Sequence, residues 1–159
     1  EPASPILLRP VRSGDLGWVI QRQAMLYTRE YGWDSSYETL IAGILSKFKP
    51  GPGEQGWIAE LDGEAAGAVF VVREHDDVAR LRLLHVEAFA RGQGLGRTLV
   101  DACIGFARDA GYKTLRLWTN DVLVSARRIY QAAGFKLVSE ENKPNFGKDL
   151  VSQTWELAL

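Results

Sequence analysis

The sequence predicts a mixed α/β domain with a mostly antiparallel central sheet of about seven strands and helices on both faces. Three observations predict it. Short apolar or alternating stretches are interleaved with longer segments of helical period. Hairpin signals join the strands of the first half, whereas strand–helix–strand crossovers fill the second. A glycine run at Gly92-Gln93-Gly94-Leu95-Gly96 separates an apolar strand from an amphipathic helix.

The elements follow in order. Ile6 to Val11 reads as a first strand. Gly14-Asp15 opens a helix through about Arg29 that carries Leu16, Val19, Ile20, Met25 and Leu26. Ser35, with Glu38 three residues on, has the capping-box pattern. It opens a second helix with apolar residues at Tyr37, Leu40, Ile41, Ile44, Leu45 and Phe48, stopped by Lys49-Pro50-Gly51-Pro52-Gly53. Trp57 to Leu61 and Ala65 to Arg73 form a hairpin around Asp62-Gly63, and Val78 to Val86 extends it into a meander. Leu95 to Ala110 is a helix closed by Gly111. Thr114 to Thr119 is a further strand, and a short helix runs from Ser125 to Ala133 before Gly134. Phe135 to Ser139 and Leu150 to Leu157 form a final strand pair across a loop from Glu140 to Asp149.

Composition narrows the function. The 159 residues suffice for one domain with a real core, spanning 1–159 with a linker-like lead-in over 1–5. Nineteen basic residues against 20 acidic ones leave a net charge of −1, so no nucleic-acid contact is expected through this domain. No stretch is long and apolar enough for a membrane span, and no signal peptide is visible. The single cysteine, Cys103, lies on the apolar side of its helix and reads as a core residue; it suits a reducing, cytoplasmic setting. His75 and His85 have no cysteine beside them, and no metal site is expected. The start at Glu1 fits processing as well as the cut end of a longer polypeptide.

The glycine run carries the chemistry. Its alternating glycines let backbone N–H groups turn toward one point, and the following helix adds its unpaired first-turn amides and the positive end of its dipole. That combination receives a phosphate or pyrophosphate. The spacing Gly92-x-Gly94-x-Gly96 misses the G-x-G-x-x-G of a dinucleotide-binding fold, and no Gly-Lys-Ser/Thr follows as in a P-loop.

Two motifs, Arg91-Gly92-Gln93-Gly94-Leu95-Gly96 after the fourth strand and Asn120, Ala126, Tyr130, Gly134 and Phe135 after the fifth, resemble those of the GNAT superfamily of acyl-CoA-dependent N-acyltransferases. The resemblance covers nearly the whole chain and implies acetyl-CoA as cofactor. It also implies an amine of a small molecule or peptide as acceptor, attacked directly in a ternary complex. Homodimers are common in the family, although no self-complementary patch is evident in the sequence. A finer resemblance, in Tyr31-Gly32-Trp33, Leu117-Trp118-Thr119-Asn120 and Phe146 to Trp155, is to the acetyltransferase domain often fused behind a MarR-type winged-helix regulator. It implies an alternative: a ligand-sensing regulatory module with little turnover.

The resemblance assigns roles residue by residue. Amides and side chains from Arg91, Gly92, Gln93, Gly94, Leu95, Gly96 and Arg97 would hold the pyrophosphate. Backbone around Leu84, His85 and Val86 would polarise the acyl carbonyl. Tyr130 would protonate the departing sulfur, with Ala126 beside it on the same helix, and packing is its bland alternative. Asn120 would bond the pantetheine amides or orient a water, with a plain helix-entry cap as the alternative. Glu87, Glu30, Asp34 and His85 are candidates to attract the amine or relay its proton, although each carboxylate also reads as an ordinary exposed acid. Tyr27, Tyr31, Trp33, Trp118, Phe146 and Trp155 would line the acceptor pocket or simply pack the core.

Overall fold

The computed structural model describes residues 5–159, so the lead-in read over 1–5 lies almost wholly outside the described residues. One seven-stranded sheet runs in the order β1-β2-β3-β4-β5-β7-β6. Its strands are β1 (Ile6–Pro10), β2 (Gln55–Leu61), β3 (Glu64–His75), β4 (Val78–Val86), β5 (Thr114–Asn120), β6 (Lys136–Asn145) and β7 (Lys148–Ala158). The helices are α1 (Asp15–Tyr31), α2 (Ser36–Ser46), α3 (Leu95–Asp109) and α4 (Val124–Ala132). Every neighbouring pair of strands is antiparallel except β4–β5. Among the described residues no helix is long and apolar enough to cross a membrane.

Strand alternation sends successive side chains to opposite faces and so builds two cores. Ala59, Val69, Val71 and Leu81 meet Leu95, Leu99, Val100 and Cys103 of α3 on one face. Ile58, Ala68 and Phe70 meet Val19 of α1 and Leu45 of α2 on the other. A third cluster of Trp33, Tyr37, Ile41, Phe146 and Leu150 ties the α1–α2 loop and α2 to the β6–β7 hairpin. Cys103 is fully buried, as its position on the apolar side of α3 predicts.

Two features of the sheet open the site. β4 and β5 pair only from Val78–Thr114 to Leu81–Leu117 and part beyond that point. In the same stretch of β4, Ala68 faces His85 and Phe70 faces Arg82, so Leu83 and Leu84 together oppose the single residue Val69. This is a β-bulge, and Leu83 adopts a left-handed φ of 59° within it.

Two details differ from the sequence reading. Glu140 to Asp149 is not a loop: β6 and β7 form one long hairpin whose turn is Phe146-Gly147, with φ values of 54° and 77°. β6 is exposed along nearly all its length, so its polar residues carry no alternation, and Pro144 is tolerated because the strand is a sheet edge. The Ser35–Glu38 capping box does not form either. Ser35 is already helical, and Asp34 takes over, its Oδ1 accepting from the Ser36 backbone N–H at 3.0 Å and from the Ser36 hydroxyl.

Candidate active site

Where β4 and β5 part, a cleft of about 520 Å³ opens between them. Its walls are α1 and α2 on one side, α3 and α4 on the other, and the exposed ends of the two strands. Open sheets gather ligands where their strands part.

The glycine run lies at the mouth. Gly92 and Gly94 have φ values of 79° and 83°, left-handed conformations that favour glycine, and Gly94 is the N-cap of α3. The Thr98 N–H is the first of the helix to bond back, to the Gly94 carbonyl at 3.0 Å, which leaves the earlier amides without intrahelical partners. A Cβ on Gly96 would stand 2.6 Å from Ile129 Cδ1, so the glycine lets α3 lie close against α4. Gly92, Gly94, Leu95, Gly96, Arg91 and Arg97 all line the cleft; Gln93 is exposed at the loop's apex and does not. Arg91 bonds Glu30 of α1 at 2.6 Å, and Arg97 bonds Asp101 one turn along α3 at 2.9 Å.

Asn120 ends β5 and is buried, yet its Oδ1 has no hydrogen-bond partner among the described residues. Buried polar oxygens seldom stay unpaired, so this one is open to a donor from a ligand or an ordered water. Tyr130 of α4 is buried beneath it among Phe135 and the α3 core; burial raises its phenol, which stays protonated at neutral pH. Ala126, one turn earlier on α4, lines the same wall.

The opposite wall is aromatic. Tyr27, Tyr31, Trp33 and Tyr37 stack with ring centroids 5.0–5.8 Å apart. Trp33 Nε1 is a second buried group with no partner among the described residues. Trp118 joins this wall from β5, its indole N–H donating to Ser152 Oγ at 2.7 Å. Phe146 and Trp155 do not line the cleft. Phe146 packs behind Trp33 and Tyr37, and Trp155 lies in the α3-side core with its N–H on Gln153.

His85 and Glu87 belong to a buried network. The His85 side chain turns to the α1 face, beside Trp18, while Leu84 and Val86 pack toward α3. The Gln23 side-chain amide donates to the Leu83 carbonyl at 2.7 Å and lies 3.0 Å from His85 Nδ1. Its oxygen accepts from the Tyr37 hydroxyl at 3.1 Å. With both amide hydrogens used, Nδ1 is the acceptor and His85 Nε2–H donates to Glu87 Oε2 at 3.1 Å. Arg22 grips the other Glu87 oxygen through Nε at 3.0 Å and Nη2 at 2.8 Å.

Burial lowers the His85 pKa against the pull of Glu87, so the imidazole is neutral. Burial by itself would raise Glu87, but the bonds from His85 and Arg22 prevail and hold it at about 2. Glu87 therefore stands behind the cleft wall, and both ring nitrogens of His85 are taken. Glu30 and Asp34 are engaged as well, the one by Arg91 and the other at the start of α2.

Gln23, Arg22 and Tyr37 were not singled out in the sequence. One signal was available: Gln23 falls on the buried stripe Asp15, Val19, Gln23, Leu26 of α1, a polar residue at a core position.

These groups fit the acetyl-CoA that the sequence motifs imply. The loop and first-turn amides suit its pyrophosphate, and the unpartnered Asn120 Oδ1 suits an amide N–H of its pantetheine arm. Residues 20–135 match the model of the acetyltransferase (GNAT) family. Human N-acetyltransferase 8B is 33% identical over 108 residues, covering 65% of this chain and 48% of that protein. Zebrafish (Danio rerio) N-acetylaspartate synthetase is 32% identical over 108 residues, covering 67% of this chain and 38% of that protein. The chain thus spans less than half the length of either relative. A GNAT-family acetyltransferase of Staphylococcus aureus Mu50 has the same fold, with a TM-score of 0.79 at 18% identity over 97% of this chain and 99% of that one. So does a GNAT-family acetyltransferase of Elizabethkingia anophelis solved with acetyl-CoA bound, with a TM-score of 0.69 at 17% identity over 97% and 98%. Anion loop, parted strands and family match agree, and this chain belongs to the GNAT family of acetyltransferases.

Proposed function

We propose that the chain transfers an acetyl group from acetyl-CoA to the primary amine of a small molecule or peptide, with both substrates held in the cleft at once. The observation that carries this reading is the convergence on one cleft of three things: the α3 amides, the unpartnered Asn120 Oδ1 and the protonated Tyr130 phenol.

The thioester supplies an activated acyl group. The chain's own residues then have three tasks. The Gly92–Gly96 amides fix the anionic end of the cofactor, so binding energy orients the acyl group. A backbone N–H at the end of β4, in the Leu84–Val86 stretch next to the bulge, meets the negative charge that develops on the acyl oxygen. Tyr130 would give its proton to the sulfur as the amine's N–C bond forms and the C–S bond breaks, and would take a proton back from water in the cleft. Its raised pKa keeps that proton available at neutral pH.

His85 and Glu87 act as positioning residues. They hold Gln23, and through it the Tyr37 hydroxyl on the acceptor wall. The amine's proton leaves to water at the open mouth, because every nearby carboxylate is already bonded. Tyr27, Tyr31, Trp33 and Trp118 enclose the acceptor.

Thermal unfolding with acetyl-CoA, and with NADH as control, tests the cofactor. At a hundredfold over Kd the ligand adds about 2.7 kcal/mol and raises the midpoint by a few degrees. An amine panel followed by thiol release tests transfer. Saturable acetyl-CoA binding without thiol release for any amine would favour the other reading, an acyl-CoA-sensing module with little turnover.

A further inference from the structure

Arg82 has no part in the roles given so far. It is the first residue of β4 beyond Leu81, where pairing with β5 ends. It lines the main cleft beside Leu40 and Ile44 of α2, and also a second cavity on the other side of those residues. Its Nε is buried without a hydrogen-bond partner, and no carboxylate among the described residues forms an ion pair with it.

The acids around it are already engaged. Glu74 bonds Arg80 at 3.5 Å and also Arg116. Glu54, on the wall of the second cavity, accepts the backbone N–H groups of Lys49 and Arg73 at 3.0 Å each. Burial and the neighbouring charge of Arg80 press the Arg82 guanidinium down to about 10. A half-buried, unpaired cation is unfavourable by itself, and an anion in contact with it recovers a charge-assisted, bidentate bond.

Of the other arginines that line the cleft, Arg91 and Arg97 are each paired with a carboxylate, and Arg128 stands on α4, the wall opposite α2. Arg82 lies instead at the α2 end, which the glycine loop leaves to the acceptor. A lone guanidinium among apolar and aromatic walls matches a single negative charge with planar geometry.

We propose that Arg82 anchors a carboxylate of the acceptor, so that the amine acetylated here belongs to an amino-carboxylate compound. The proposal rests on the acetyltransferase reading.

The test compares matched acceptors at equal free-amine concentration: L-phenylalanine with phenethylamine, L-tryptophan with tryptamine, and 4-aminobutyrate with butylamine. Thiol release gives kcat/KM for wild type, Arg82→Gln and Arg82→Lys. Quenching of tryptophan fluorescence in the presence of CoA reports binding of the same compounds without turnover. Acetyl-CoA stabilisation, measured separately, checks that each variant is folded and that the cofactor site is intact.

We expect wild type to favour the carboxylate member of at least one pair by about 10- to 100-fold, a preference that Arg82→Gln removes and Arg82→Lys keeps in part. Acetyl-CoA stabilisation should be the same in all three proteins. Transfer to neutral amines with no preference, or equal losses for both members of each pair in Arg82→Gln, would overturn the anchor and leave the acetyltransferase standing. Failure of every carboxylate to bind wild type at millimolar concentration would overturn it as well. Loss of acetyl-CoA stabilisation in wild type strikes the acetyltransferase reading instead.

Discussion

The Gln23 amide nitrogen lies 3.0 Å from His85 Nδ1, and this contact fixes the histidine as the Nε2–H tautomer. One fully buried glutamine thereby links the bulge of β4, the imidazole and the Tyr37 hydroxyl. Gln23→Leu keeps the volume and removes all three bonds. It leaves the Leu83 carbonyl, His85 Nδ1 and the Tyr37 hydroxyl unpaired, for a loss of roughly 2–4 kcal/mol. Thermal unfolding should show a midpoint lower by on the order of 10 °C. An unchanged midpoint would mean the network contributes nothing to stability.

Acid should weaken the fold in two stages. His85 is neutral inside with a lowered pKa, so below about its usual 6.5 the unfolded chain binds a proton the folded chain refuses, and stability falls as pH drops. Glu87 is held at about 2 against an ordinary 4.5. Its contribution is fully present above 4.5 and is lost as pH falls toward 2. Asp15, which burial raises but the bonds from Arg9 and Arg12 lower, shares this acid range, so urea unfolding should show a smaller lower stage in Glu87→Gln and an unchanged upper one.

Tyr130→Phe removes only a hydroxyl. If that hydroxyl gives the sulfur its proton, kcat for thiol release falls about a hundredfold or more. Stabilisation by acetyl-CoA should be nearly intact. Unchanged turnover would take Tyr130 out of the chemistry and leave it as packing between α4 and the sheet.

Gly67 faces β4 at the bulge, and a Cβ there would stand 2.7 Å from the backbone carbonyl of His85. Backbone cannot swing aside as a side-chain tip does, so Gly67→Ala must push β4 away. The expected result is a loss of about 1–3 kcal/mol and weaker acetyl-CoA stabilisation together. A variant as stable as wild type that binds the cofactor normally would show that the end of β4 yields without harm.

Much of this was legible in the sequence because apolar periodicity and turn chemistry report burial directly. The stripes of α2 and α3, the Asp62-Gly63 turn and the glycine run each mark an element within a residue or two of its place. β6 reads short in the sequence because both its faces are solvated, and a strand without alternation looks like a loop. The capping box at Ser35 was outcompeted one residue earlier by Asp34, whose carboxylate also stands 3.0 Å from where a Cβ of Gly147 would be. The bulge at Leu83 has no local signature, since a bulky residue at positive φ is imposed by the strands around it. The cofactor side of the site was legible through contiguous motifs. On the opposite wall the aromatics Tyr27, Tyr31, Trp33 and Trp118 were legible too, but the polar residues Gln23, Tyr37 and Arg82 come from three separate elements and gather there only on folding.

Four residue pairs, Val78–Thr114 to Leu81–Leu117, are all that join β4 to β5. The two strands are joined at one end only, and the cleft lies at the split end. One core on α3 covers both strands at that joint, and the third cluster ties α2 to the β6–β7 hairpin across it. Ala79 and Leu115, paired at that joint and fully buried, do not line the cleft. The bulk at those two positions nonetheless sets the spacing from which the two strands diverge.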